Sequence, residues 1–283
     1  MKKILLPTDF SEISWNAIKY ALQLFQNDIC EFYVLHTYTP IIYDAGYGGI
    51  GAAQYDIIDS VKENSEDNLK LLKRRIKREF NNDKHSILTF AVFNTLIQEI
   101  SNMVENNDIH YIVMGTKGAS GLQEILFGSN TVHVIKAIKC PILVIPEGFT
   151  FKQPHQILFP TDYEIQYKSW HVNPVLNFIN TKEAAIHILN ASFGYDLSEK
   201  QKENKGVLAT LLNKINYEFH SVSNQTVEES IANFQIKYPV NLLFMINNEH
   251  SFFENLFFKS KINQIGFHLK IPFLVVPEHF NSM

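Results

Sequence analysis

The sequence predicts an α/β protein built as two domains in tandem, each an open, parallel, five-stranded sheet flanked by helices. Three observations predict it. The chain has 283 residues, which suits two domains of common size. Its two halves repeat each other: KKILLPTDFS from Lys2 returns as HQILFPTDYE from His155, and the stretch Tyr111–Glu147 returns without a gap as Leu242–Glu278. Within each half, strand-sized apolar runs alternate with segments of helical periodicity.

The elements follow in order. Lys3 to Pro7 is a short apolar run suited to a strand buried on both faces. Ser11 caps a helix in which Ala17, Ile18, Ala21, Leu22 and Phe25 recur at helical spacing. Glu31 to Thr39 is the second strand, and Ile58, Val61, Leu69, Leu72, Ile76 and Phe80 mark a long second helix. Ile87 to Phe93, Leu96 to Val104 and Tyr111 to Met114 read as strand, helix and strand. A helix from about Asn130 to Ile138 then leads to a last strand at Ile142–Ile145. Such alternation implies right-handed crossovers and a Rossmann-like sheet, of order 3-2-1-4-5 if strands one and four are neighbours.

The repeat has two registers. Met114 pairs with Met245 and Pro141 with Pro272 at an offset of 131, whereas Asp9 pairs with Asp162 at 153. The first half therefore holds about 22 more residues between these anchors, around the 40–60 insert. The domain boundary falls in the polar segment near Gly148 and Pro154, giving domains 1–148 and 153–283. The closing strands, Ile142–Pro146 and Phe273–Pro277, would each be an unprotected sheet edge. Pairing them would make the chain an intramolecular pseudo-dimer, and homodimerisation through other surfaces stays open.

Composition narrows the function classes. A net charge of -4 and a pI near 6.3 give no electrostatic footprint for nucleic acid. The basic stretch Lys73, Arg74, Arg75, Lys77 and Arg78 closes a helix, where a solvated face that complements the helix dipole explains it. Cys30 and Cys140 read as small buried side chains in a reducing compartment. MKKILL starts like a secretory signal, but Pro7, Thr8 and Asp9 end the apolar run, and no stretch is long enough to span a bilayer. The expectation is a cytoplasmic protein with no membrane or nucleic-acid partner.

Two segments are placed to bind a ligand at the carboxyl ends of the strands. Thr8 and Asp9 follow strand one directly. After strand four come Gly115, two residues, Gly118, nine residues, and Gly128-Ser129-Asn130 opening a helix. Glycines let backbone approach a phosphate, a helix N-terminus favours an anion, and Lys117 adds a point charge. Gly-x2-Gly-x9-Gly-Ser after strand four, with Pro-Thr-Asp after strand one, resembles the ATP-binding branch of the universal stress protein family, and the likeness covers both halves. It implies that Asp9 and Thr37 contact adenosine, with Met114 flanking it. It further implies that Gly115, Lys117, Gly118, Gly128, Ser129 and Asn130 line the phosphates, with Mg2+ or Mn2+ as companion. Lys117 departs from the family's usual His or Arg, and Thr37 from its common Val.

The second half has lost this loop: at the offset of 131, Gly115 becomes Ile246, Gly118 becomes Glu249 and Gly128 becomes Lys259, and only Ser129 survives, as Ser260. Asp162 persists as a turn or capping residue. Gly46-Tyr47-Gly48-Gly49-Ile50-Gly51 has the letters of a dinucleotide fingerprint but does not follow the first strand, so it reads as a loop. His36 has no titratable partner in sequence, and neither a metal-ligand spacing nor a Ser-His-Asp order is evident. The expectation is an ATP-binding stress or signalling module with little or no turnover, not an enzyme, with an unknown protein partner. A nucleotide-free interaction scaffold and a slow ATP hydrolase remain as alternatives.

Overall fold

A computed structural model describes residues 1–39, 52–116, 128–180, 182–192, 196–248 and 270–279. The side chains of 52–57 are not described. Among the described residues, the chain forms two compact units that divide between Ile138 and Lys139.

The first unit runs β1 (Lys2–Pro7), α1 (Glu12–Leu24), β2 (Cys30–Tyr38), α2 (Ala52–Glu79), β3 (His85–Phe93), α3 (Leu96–Asn107), β4 (Tyr111–Gly115) and α4 (Ser129–Ala137). Its strands pair in parallel in the order β3-β2-β1-β4, so β1 and β4 are neighbours and their carboxyl ends open on one side. Ile4, Leu5 and Leu6 of β1 and Ile112 and Val113 of β4 are fully buried, as strands covered on both faces must be. Helix α2 seats Ser65, Leu69, Leu72 and Ile76 against the sheet at spacings of three and four. Arg75, from the basic stretch, bonds Glu12 of α1 and Glu79, with its guanidinium 4.1 Å from the centre of the Trp15 ring.

The second unit runs β5 (Ile142–Ile145), β6 (Gln156–Pro160), α5 (Ser169–Leu176), β7 (Ala185–Ser192), α6 (Glu199–Leu211), β8 (Asn216–Ser223), α7 (Val227–Lys237), β9 (Leu242–Asn247) and β10 (Phe273–Pro277). Strands β10-β9-β6-β7-β8 are parallel neighbours in that order, which is 5-4-1-2-3 of the second repeat. Strand β5 lies beside β10, antiparallel to it, with Phe273 opposite Val144 and Leu274 opposite Leu143. The two closing strands thus pair as the edge argument requires. In packing, however, β5 belongs to the second unit, which therefore starts before the boundary expected from the repeat.

Differences from the sequence expectations are at element ends, where hydrogen bonds outlast the periodic apolar pattern: β3 starts at His85, α3 continues to Asn107, and α4 covers Ser129–Ala137. Ser11 caps α1 by accepting from the Ser14 amide at 3.2 Å. Cys30 and Cys140 are both buried, as expected, and burial pushes the Cys30 thiol up to about 12. Among the described residues, no helix is long and apolar enough to cross a membrane. The 40–51 part of the insert, with its fingerprint-like glycines, lies outside the described residues, as do residues 249–269.

Candidate functional site

The carboxyl ends of β1, β2 and β4 frame the candidate site in the first unit. Thr8 extends the sheet by donating its amide to Leu35 O at 2.8 Å, and its buried hydroxyl lies 3.0 Å from Ser14 Oγ. Phe10 takes a left-handed φ of 62° and donates its amide to Thr8 Oγ1. Asp9 is exposed at the tip of this corner, where its Oδ1 accepts from the amide and hydroxyl of Ser11 at 3.1 and 2.6 Å. Pro-Thr-Asp therefore builds a sharp exit from the strand and sets the start of α1.

The same corner stands after β6. Thr161 donates to Leu189 O, Tyr163 has φ 59° and donates to Thr161 Oγ1, and Asp162 Oδ1 accepts from the Glu164 amide at 3.0 Å. This is the turn role expected of Asp162. The repeated tripeptide is a backbone device in both halves, whatever ligand either half holds.

Beside the first corner, His36 and Thr37 end β2 half-buried and, as consecutive strand residues, project to opposite faces. His36 Nδ1 lies 2.7 Å from Ser65 Oγ, and its ring lies against Phe10 with centroids 4.4 Å apart. Burial pulls its pKa below the usual imidazole value, against the opposing pull of Asp9. His36 is thus a neutral wall of the crevice, held from two sides.

At the end of β4, Met114 is buried and Gly115 has a packing reason to be glycine. A Cβ there would stand 2.6 Å from Ile13 Cγ2 and 3.2 Å from Ile13 O, because the first turn of α1 crosses close to the strand. The sequence reading gave that glycine to phosphate approach or to loop geometry; the packing of the helix accounts for it as well. Thr131 of α4 donates its hydroxyl to Gly115 O at 2.9 Å, and the Gly128 amide bonds Thr116 O. These bonds pin the amino end of α4 to the end of β4. Gly128 caps α4 without a side-chain bond, and Ser129 and Asn130 are exposed in its first turn. The first amides of a helix lack intrahelical acceptors and carry its positive dipole end, so this terminus suits an anion.

The structure thus brings Thr8, Asp9, Thr37, Met114, Gly115, Gly128, Ser129 and Asn130 to neighbouring strand and helix ends. Lys117 and Gly118 lie outside the described residues, as do Glu249, Lys259 and Ser260 in the second half.

The second unit treats the same place differently. Helix α5 starts only at Ser169, seven residues past Asp162, whereas α1 starts three past Asp9. The intervening loop turns inward: Tyr163, Ile165 and Tyr167 are buried, and the Tyr167 hydroxyl bonds Thr161 Oγ1. With no helical turn in the place of Ile13, Ile246 fits as a buried side chain where the first half requires glycine. Sequence comparison located the change at Ile246; it missed the delayed helix and the two tyrosines.

Where the sequence showed no metal-ligand spacing, the sheet register gathers His187 of β7 with Glu218 and His220 of β8. The signal was the alternation in Glu218-Phe219-His220, which puts two ligand types on one face of a strand.

Comparison with known proteins defines the class. The model of the universal stress protein family matches residues 1–146. The chain belongs to the universal stress protein family. Universal stress protein MJ0531 of Methanocaldococcus jannaschii is 32% identical over 146 residues, covering 51% of this chain and 81% of that protein. MJ0577 of the same organism is 29% identical over 155 residues, covering 51% and 94%. The crystal structure of a universal stress protein from Archaeoglobus fulgidus covers 98% of both chains with a TM-score of 0.71 at 19% identity, a likeness of fold.

Proposed function

We propose that this universal stress protein binds one ATP in its first half, turns it over slowly if at all, and acts as a stress-response or signalling module. The observation that carries the reading is the amino end of α4, which Gly128 caps without a side-chain bond, fastened to the end of β4 through Thr131 and Gly128 beside the Pro-Thr-Asp corner. In this reading Asp9 and Thr37 meet the adenosine, with Thr8 shaping the corner and Met114 flanking. Gly115, Lys117, Gly118, Gly128, Ser129 and Asn130 line the phosphates, with Mg2+ or Mn2+ as the companion ion that would offset their charge. The second half stays empty, supported by Tyr163 and Tyr167 packed into its corner and by Ile246, Glu249 and Lys259 in its loop. Slow turnover fits His36, which is tied to Ser65 and to the ring of Phe10.

One observation favours a second reading, a nucleotide-free interaction module: Ile13 by itself explains Gly115. Calorimetry with ATP and Mg2+ separates the two. The expected result is one site per chain in the wild type, none in Gly118→Glu, where a carboxylate would face the phosphates, and still one in Glu249→Gly. Two wild-type sites, or undiminished binding in Gly118→Glu, would sink the one-site reading. No wild-type binding would leave the nucleotide-free module.

A further inference from the structure

We propose that the second unit carries a binding site for a divalent ion of the Zn2+ type, formed by His187, Glu218 and His220. Adjacent parallel strands bring them together: Glu218 lies opposite His187 and His220 opposite Leu189, so all three project from one face. His187 Nδ1 and His220 Nε2 are 3.1 Å apart, and Glu218 Oε2 is 4.0 Å from the first and 3.6 Å from the second. Two nitrogens on a tetrahedral zinc stand about 3.3 Å apart, given bonds of about 2.0–2.1 Å. The imidazoles thus already have the spacing of ligands, and only Glu218 must draw in slightly. Its side chain is 64% exposed and free to do so.

The surroundings support a ligand role. His187 Nε2 is 2.8 Å from Gln156 Oε1, an acceptor, so Nε2 carries the proton and Nδ1 presents its lone pair to His220 and Glu218. On the α7 side, Phe234 and Tyr238 stack on each other at 4.3 Å and pack against both imidazoles, with centroids 4.9–5.7 Å away. This apolar wall fixes the rings and keeps water from one side, while the exposed Glu218 leaves the other open for a solvent or partner ligand. Two imidazoles and a carboxylate suit zinc and its late first-row neighbours better than Mg2+ or Ca2+.

The first half supplies an internal control. The strand registers place Tyr33 where the second half has His187, Leu88 where it has Glu218 and Phe90 where it has His220. There Tyr33 and Phe90 simply stack, with ring planes 5° apart. The fold therefore accepts aromatic filling at these positions, and the ligating set is a feature of the second half alone.

The test uses the full chain stripped with chelator and titrated with Co2+, then Zn2+. We expect one equivalent of Co2+ to give visible absorption of low-symmetry coordination, and Zn2+ to displace it. His220→Phe, which restores the first-half residue, should abolish the spectrum while leaving far-UV circular dichroism unchanged. Glu218→Gln, at an exposed side chain, keeps the test open should His220→Phe misfold, and should weaken binding. Gln156→Leu, a positioning change, should weaken Co2+ by about 10–100-fold without abolishing the spectrum. No stoichiometric binding by the wild type, or equal binding by His220→Phe and Glu218→Gln, would overturn the proposal.

Discussion

Single atoms decide several positions in this chain. Gly115 is the sharpest, since a methyl group there meets both the side chain and the carbonyl oxygen of Ile13. Gly115→Ala should cost about 1–3 kcal/mol, read from the urea midpoint, because α1 must back away from β4. Ile13→Ala in the same chain should return part of that loss, leaving the share due to the carbonyl, so the two changes should be non-additive. Asp162 offers a pH test. Burial, assisted by Glu164, raises its pKa above the ordinary 3.8. The folded state then holds the proton more tightly than the unfolded state, so ionisation costs stability. The penalty is absent below the unfolded value and grows as pH rises through the folded one. Asp162→Asn keeps the acceptor for the Glu164 amide, so it should be more stable than the wild type at pH 7. The gap in thermal midpoint should close on acidification; a constant gap would show that the carboxylate's charge is not the cause.

At the scale of elements, the two halves differ most in when the first helix begins. Ser11 starts α1 at once, while the second half spends the same residues on an inward loop and begins a shorter helix that contains Pro174. Arg75 joins α2 to α1 through Glu12, Glu79 and the face of Trp15. Exposed ion pairs contribute little, and a guanidinium on an aromatic face about 0.5–1 kcal/mol. Arg75→Ala should therefore lose about 1 kcal/mol in urea unfolding. Most of that loss should persist at high salt, because salt screens the carboxylates more than the ring contact. Arg75→Lys should recover less than half, since an ammonium does not stack as a planar guanidinium does.

At the scale of the whole molecule, β5 is the element the repeat and the packing assign differently. It closes the first repeat in sequence, yet it covers the edge of β10 through antiparallel pairing. A fragment of residues 139–283 keeps that cover on β10 and should self-associate less, in size-exclusion chromatography with light scattering, than one that lacks β5. A fragment of residues 153–283 exposes the buried strand Phe273–Pro277 and should dimerise or aggregate. Equal behaviour of the two fragments would show that β5 is not what protects this edge.

The sequence by itself determined the tandem α/β architecture, the order of elements, the capping role of Ser11 and the turn role of Asp162. These rest on local chemistry and on periodicity, which a chain carries along its own length. It also marked the glycine-rich segment after β4 and its loss in the second half, because a missing glycine is visible letter by letter. Only the tertiary structure decided why Gly115 must be glycine, since Ile13 reaches it across about a hundred residues of chain. Only strand register could bring His187 beside Glu218 and His220, because ligands on adjacent strands have no fixed spacing in sequence. The burial of Tyr163 and Tyr167 after β6 belongs there too: a ring in a loop turns inward only where a late-starting helix leaves it room.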